Sequence, residues 1–190
     1  ALTLSLGLDK AACKRLARVA GVPTPPWVVV AHPEAIPTPL PFPFPAIVKP
    51  RYQGSGIGID PKAVVRTHEV LIARLYWVMA RWPEPALIEQ FIPQGELTVC
   101  LIGNDPPMVY PAIQRAVDPT SRLSCHVVSP HTSRWETPLE LHAALDTEAR
   151  RLALVMFREV GCCDVARVDF RVDDRGGLWV LEINPLPSFD

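Results

Sequence analysis

Prolines occupy every second position from Pro37 to Pro45. With φ fixed and the N–H removed at alternate residues, this stretch is confined to extended backbone and barred from any central strand. It reads as a stiff surface connector in preference to a ligand for a proline-binding domain. The 22 prolines in 190 residues also limit how far a helix or strand can run without interruption. The fold has to be assembled from short elements on either side of a rigid break.

Bulk properties remove several function classes. A formal charge of −1 produces no field that would gather polyanions, so nucleic acid is not an expected partner. Apolar runs such as Leu152–Phe157 are too short to span a bilayer, and the start of the chain lacks a basic-then-apolar signal. The five cysteines (13, 100, 125, 162 and 163) form no CxxC pair and read as reduced thiols of a cytosolic protein. His32, His68, His126, His131 and His142 include no pair at metal-ligand spacing.

Asp9 is placed to cap a helix to Ala20, with Ala12, Leu16, Val19 and Ala20 on its apolar face and Gly21 and Pro23 ending it. Short strands are expected at Trp27–Ala31 and Ala46–Lys49, then a helix over Thr67–Arg81 with Leu71, Leu75, Val78 and Met79 inward. Strand-like runs follow at Ala86–Ile92, Leu97–Ile102 and Met108–Gln114, and residues 115–136 read as loop. Thr137-Pro-Leu-Glu140 has the form of a capping box with proline at the first helical position. The helix it opens would bury Leu141, Leu145, Ala149, Leu152 and Met156 and end at Gly161. Two strands, Asp164–Asp173 and Leu178–Asn184, finish the chain. Without regular βαβ alternation, the expected class is α+β with largely antiparallel sheets.

The last two strands carry the sharpest chemical pattern. Ala166, Val168, Phe170 and Val172 alternate with Arg167, Asp169 and Arg171, so one face is core and the other is wet. A four-residue turn at Asp174–Gly177 sets Asp169 opposite Glu182 and Arg167 opposite Asn184. Opposed carboxylates with Cβ atoms about 5 Å apart repel unless a cation lies between them. Mg²⁺ suits a set of Asp, Glu and Asn oxygens. On spacing alone, a solvated face whose arginines neutralise the acids is an equal alternative.

Two further constellations are weaker. Lys49 ends the apolar run Ala46–Val48, and glycines 54, 56 and 58 with Ser55 follow in a loop whose amides could approach phosphate. The loop matches neither the P-loop nor the dinucleotide spacing, and a plain flexible turn competes with it. Glu89 interrupts the apolar run Leu87–Ile92, with Glu96 just beyond it. Each is a strand-edge residue or a partner for an amine or sugar hydroxyl.

In order, these pieces resemble the ATP-grasp superfamily, most closely its D-alanine–D-alanine ligase branch. The matching residues are Asp9-Lys10, Gly21-Val-Pro-Thr-Pro25, Pro45–Pro50 with Gly54–Gly58, Leu87–Ile92 with Gly95–Val99, Arg167–Phe170 and Leu181–Pro185. The resemblance implies one ATP-grasp domain over residues 1–190. Its small lobe would span about 24–92, and its large lobe 93–190 plus the helix 9–20. It implies that Lys10 and Lys49 hold ATP phosphates under the loop of Gly54, Ser55, Gly56 and Gly58. Glu89, Phe91 and Ile92 would line an adenine slot and Glu96 would meet the ribose. Asp169, Glu182 and Asn184 would bind Mg²⁺, or Mn²⁺ in its place, with two ions in all. Arg167, with Lys49, would act on the phosphoryl group in transfer.

The implied reaction phosphorylates a carboxylate to an acyl phosphate that an amine then attacks, releasing ADP and phosphate. The substrates would be small molecules, an amino acid or short peptide, in a cytoplasmic enzyme free to form a homodimer. Gly56 stands where the family usually has a second serine. The family's tyrosine- and lysine-containing segment has no clear match in 115–136, where Arg122 is the nearest substitute. No counterpart of the family's N-terminal substrate domain is seen, so the chain reads as the nucleotide-binding part of a longer or divergent ligase. A nucleotide-binding regulatory module and a small-molecule kinase are the competing functions.

Overall fold

A computed structural model describes residues 1–124 and 135–187. Its helices are α1 (Leu2–Leu8), α2 (Lys10–Val19), α3 (His68–Arg81) and α4 (Ala143–Glu159). Its strands are β1 (Trp27–Val30), β2 (Ala46–Pro50), β3 (Val64–Val65), β4 (Ala86–Gln90), β5 (Gly95–Ile102), β6 (Met108–Val109), β7 (Ile113–Arg115), β8 (Val165–Val172) and β9 (Leu178–Asn184). They form two antiparallel sheets, β1-β4-β2-β3 and β6-β5-β8-β9, with β7 also paired to β5. The α+β class with antiparallel sheets is as expected. No helix among the described residues is long and apolar enough to cross a membrane.

Each sheet has its own core. Val48, Ile88, Leu71, Leu75 and Val78 pack between the four-stranded sheet and α3. Val99, Val168, Phe170 and Ile183 pack between the five-stranded sheet and α2 and α4, with Leu152 and Met156 contributed by α4. Thr67 caps α3 through its hydroxyl, and Asp9 caps α2 by accepting from the amides of Ala11 and Ala12. The proline tract packs more closely than a plain connector would. Pro37, Pro39, Pro41 and Pro43 face solvent while Leu40, Phe42 and Phe44 turn onto the smaller core.

Several expectations need correction. The fully buried residues of α2 are Lys10, Ala11, Cys13, Lys14 and Ala17; of the expected face Leu16 and Ala20 are half-buried against the core, and Val19 is exposed. The helix turns its charged stripe inward because acidic side chains await it there, as described below. Met108–Gln114 is two short strands, interrupted around Pro111, which has no N–H to give a ladder. The capping box at Thr137 does not open α4. The amide and carbonyl of Leu139 are both held by the Gln114 side chain, at 2.8 Å each, and His142 becomes the cap. Leu141 is consequently exposed, whereas Leu145, Ala149, Leu152 and Met156 are buried. Helix α1 was not anticipated and buries none of its residues. Val117 forms isolated bridges to Ser124 and Glu136 within the expected loop. Cys125, His126, His131 and the middle of that loop lie outside the described residues.

The β8–β9 hairpin contains two departures that cancel. Val172 pairs with Leu178, so the turn is Asp173–Gly177, one residue longer than expected. The Asp173 carboxylate organises it, accepting from the amides of Arg175 and Gly177 and from Trp179 Nε1. Between Phe170↔Val180 and Asp169↔Glu182 the register shifts by one, leaving Leu181 as a bulge. Leu178 and Val180 face the core before the bulge, and Ile183 does so after it. The extra residue therefore rotates Glu182 and Asn184 onto the opposite face. Asp169 faces Glu182 and Arg167 faces Asn184, as the alternation requires.

Candidate active site

The two sheets enclose a cleft that is open at its mouth. Lys10, Lys49, Gly54, Ser55, Gly56, Glu89, Phe91, Ile92, Glu96, Arg167, Asp169, Glu182 and Asn184 all line it. Of the residues to which the resemblance assigned a role, Gly58 alone does not. A side chain there would meet Pro50, whose Cγ lies 2.5 Å from the position of a Cβ, and its φ of +78° favours glycine. Gly58 thus serves the base of the loop.

The four-stranded sheet supplies a buried charge cluster. Lys49 on β2 and Glu89 on β4 are diagonal neighbours, since Lys49 is directly opposite Leu87, and their side chains form an ion pair. Glu89 is on an inner strand, not an edge, and is only 1% exposed. Its second carboxylate oxygen lies 2.7 Å from Lys14 Nζ of α2. Burial pushes the Glu89 carboxyl up, but the ammonium groups of Lys14 and Lys49 outweigh it and hold the group at about 2. Lys10 opens α2 and donates to the Gln53 carbonyl at the root of the glycine loop. Burial lowers its pKa, and the nearby Glu182 works against that fall.

The loop is anchored at both stems. Arg51 grips Asp9 through two hydrogen bonds of 2.7 and 2.6 Å, and Glu84 accepts from the amide of Tyr52 and from Gln53 Nε2. On the far side Arg74 donates to the Gly58 carbonyl at 2.8 Å and to Asp60 at 3.1 Å. Between the anchors, Ser55 and Gly56 adopt left-handed φ values of 51° and 71°. Such a turn directs backbone amides to one side, as anion-binding nests do.

The five-stranded sheet supplies the acids. Asp169 accepts from Thr98 Oγ1 at 2.6 Å and from the Arg167 guanidinium through Nε and Nη2, each at 3.0 Å. Burial would lower the Arg167 pKa, but the bond to Asp169 raises it above the ordinary value. Asn184 Nδ2 lies 3.0 Å from Asp169 and 3.5 Å from Glu182, so an N–H donor sits between the two carboxylates. A half-turn of that amide brings a third oxygen to the same point. The donor set fits a hard divalent cation that takes its remaining ligands from water and phosphate. Among the described residues no group of three His, Cys, Asp or Glu side chains is arranged to hold a metal, so a cation held by Asp169 and Glu182 would need Asn184 as its third protein ligand.

At the other end of the cleft Glu96 accepts from Arg171 at 3.2 Å. Arg171 also donates to the carbonyls of Ile92 and Arg122, at 2.7 Å each, and lies over the Phe91 ring. Arg122 donates to the carbonyls of Pro93 and Gln94 and pairs with Glu136. It braces the crossing between the sheets and does not line the cleft. Sequence reasoning missed Lys14, Arg51, Arg74 and Arg171. Two left a signal: Lys14 is one helical turn from Lys10, and Arg171 is two along a strand from Asp169. Arg51 and Arg74 had none, because their partners are distant in the chain. Cys13 and Cys162 are buried free thiols, each pushed up to about 11 by burial, and neither serves the site.

The sequence model of the family described as "D-ala D-ala ligase C-terminus" matches residues 16–190. The D-alanine–D-alanine ligase of Pelotomaculum thermopropionicum is 31% identical over 205 residues, covering 98% of this chain and 60% of that protein. The solved D-alanine–D-alanine ligase of Bacillus anthracis complexed with ATP is similar at a TM-score of 0.74 and 26% identity, covering 98% of this chain and 57% of that one. The VanG D-Ala:D-Ser ligase of Enterococcus faecalis shares the fold, with a TM-score of 0.79 at 20% identity, covering 99% of this chain and 55% of that one. The chain thus spans 60% or less of the length of each of these relatives.

Proposed function

Because this chain belongs to the D-Ala–D-Ala ligase C-terminal family, with the ATP-grasp α+β fold, we propose that it is the ATP- and magnesium-binding part of an ADP-forming carboxylate–amine ligase. The observation that carries this reading is the convergence of Lys10, Lys49, Arg167, Asp169, Glu182 and Asn184 in one cleft beneath a tethered glycine loop.

Lys10 and Lys49 would hold the phosphates, with the Gly54–Gly56 amides closing from above. Phe91 and Ile92 would border the base, Glu96 the ribose, and Glu89 would fix Lys49. Asp169, Glu182 and Asn184 would hold Mg²⁺, or Mn²⁺ in its place, two ions in all, neutralising charge on the phosphate oxygens. Arg167 would face the phosphoryl group as it leaves ADP. A substrate carboxylate oxygen attacks the γ-phosphorus and ADP departs. An amine then attacks the acyl carbon, loses a proton and expels phosphate. Fixed positive charge in a closed cleft supplies most of the catalysis in such transfers.

The reading takes D-alanine as the first substrate to test, places the enzyme in the cytoplasm and is compatible with a homodimer. ADP release should be measured against amino acids, dipeptides and hydroxy acids, singly and in pairs. Release that requires two co-substrates is expected. Release with a single phosphate acceptor would make it a kinase, and Mg·ATP binding without turnover on any pair would make it a regulatory module.

A further inference from the structure

The phosphate-binding reading makes no use of Lys14, yet this residue sits in a charge cluster whose arithmetic does not balance. Glu89 offers one negative charge to two ammonium groups, Lys49 in the cleft and Lys14 behind it. Lys49 alone would neutralise the acid. Lys14 overcompensates, leaving a net charge of +1 on the cluster at the edge of the cleft.

We infer that Lys14 is a positioning residue whose buried charge occupies Glu89 and so keeps the charge of Lys49 available to an anionic ligand. The inference rests on Lys49 being a phosphate-binding lysine.

Lys14 is 1% exposed and does not line the cleft, so it acts only through its neighbours. Its ammonium forms an ion pair with Glu89 at 2.7 Å and donates to Thr24 Oγ1 at 2.7 Å and to the Pro25 carbonyl at 3.3 Å. Thr24 in turn donates to the Val180 carbonyl at 2.8 Å. Lys14 is therefore pinned between α2, β9 and the central strand of the smaller sheet. Burial opposes its charge, with Glu89 the largest opposing influence. A protein that needed only to neutralise Glu89 would have no use for a second desolvated cation, since one buried pair is already costly to form. In the low-dielectric wall of a cleft, one uncompensated charge is felt strongly by a polyanion and hardly at all by a neutral nucleoside.

Titration calorimetry with Mg·ATP and with adenosine tests this on four proteins: wild type, Lys14→Met, Lys14→Met/Glu89→Gln and Lys49→Met. Lys14→Met is expected to weaken ATP by about tenfold and to leave adenosine within about twofold. Removing the acid as well frees Lys49 again, so the double variant should recover most of the lost ATP affinity. A merely structural lysine would not be rescued by deleting its partner. An unchanged ATP constant in Lys14→Met, or a double variant that binds ATP no better than the single one, overturns the inference. Should Lys14→Met fail to fold, the double variant decides alone, because its preference for ATP over adenosine has to match wild type. If Lys49→Met keeps the full preference for ATP, the phosphate reading of the cleft is what fails. If Lys49→Met loses the preference while Lys14→Met keeps it, the inference about Lys14 fails by itself.

Discussion

At the scale of single residues, the site depends on charges placed where burial alone would forbid them. Asp169 and Glu182 face each other across a strand pair and have Asn184, Arg167 and Thr98 as partners. Asp169→Asn or Glu182→Gln removes one anionic oxygen from the proposed metal site while keeping shape and hydrogen-bonding capacity. Each is expected to weaken Mg²⁺-dependent ATP binding by tenfold or more, about 1.4 kcal/mol, with little change in thermal stability. Titrations at several Mg²⁺ concentrations would show this, and an unchanged magnesium dependence would remove the metal assignment. Glu89 makes a second prediction. Its folded pKa of about 2 lies below its ordinary 4.5, so its ion pairs contribute stability above pH 4.5 that is lost as pH falls toward 2. Acid unfolding followed by circular dichroism should be shallower across that window in Glu89→Gln. Lys14 was hard to see beforehand because an apolar-stripe search assigns lysines to solvent. The true inner face, Lys10, Cys13, Lys14 and Ala17, has perfect helical spacing but mixed chemistry.

At the scale of elements, the hairpin β8–β9 decides whether the acids reach the cleft. The bulge at Leu181 changes which face the rest of β9 presents, so Glu182 and Asn184 emerge beside Asp169. Deleting Leu181 alone leaves Glu182 opposite Asp169 in regular pairing, whereas deleting Val180 with it sets Glu182 opposite Phe170 and drives both polar side chains into the main core. The expected result is loss of magnesium-dependent ATP binding together with a destabilisation of about 3 kcal/mol or more, measured by denaturant unfolding. Retained binding in this two-residue deletion would show that pairing counted from the turn does not set the orientation. The pairing of Asp169 with Glu182 was legible from alternation, although the turn length and the regularity of β9 were not. Alternation reports which residues share a face but does not count residues hidden in a turn or bulge. The displaced start of α4 has a similar cause, since the Gln114 side chain that holds Leu139 is distant in sequence.

At the scale of the whole molecule, two sheets with separate cores meet across the cleft and are joined through residues 91–94. Arg171 and Arg122 together take the carbonyls of Ile92, Pro93 and Gln94, so this crossing is braced from the larger sheet. Replacing Arg122 with alanine removes two of those bonds and the pair with Glu136. Hydrogen exchange should then quicken at the amides of residues 92–96, by about five- to thirtyfold for a loss of 1–2 kcal/mol. Unchanged exchange would mean that Arg171 suffices. The order of elements and the antiparallel sheets could be read from local patterns, and most cleft residues from the ordered motifs that carry the family resemblance. The braces could not, since arginines bonding to distant carbonyls leave no periodic trace.

The hairpin's arithmetic also restricts how this chain and its kin can vary. Because the bulge already holds one unpaired residue, loss of one residue between Gly177 and Glu182 is absorbed by regular pairing, whereas loss of two reverses the outlook of everything after it. A viable shortening of that stretch should therefore stop at the one residue the bulge leaves unpaired, and a loss of two should survive only beside an insertion that makes up for it.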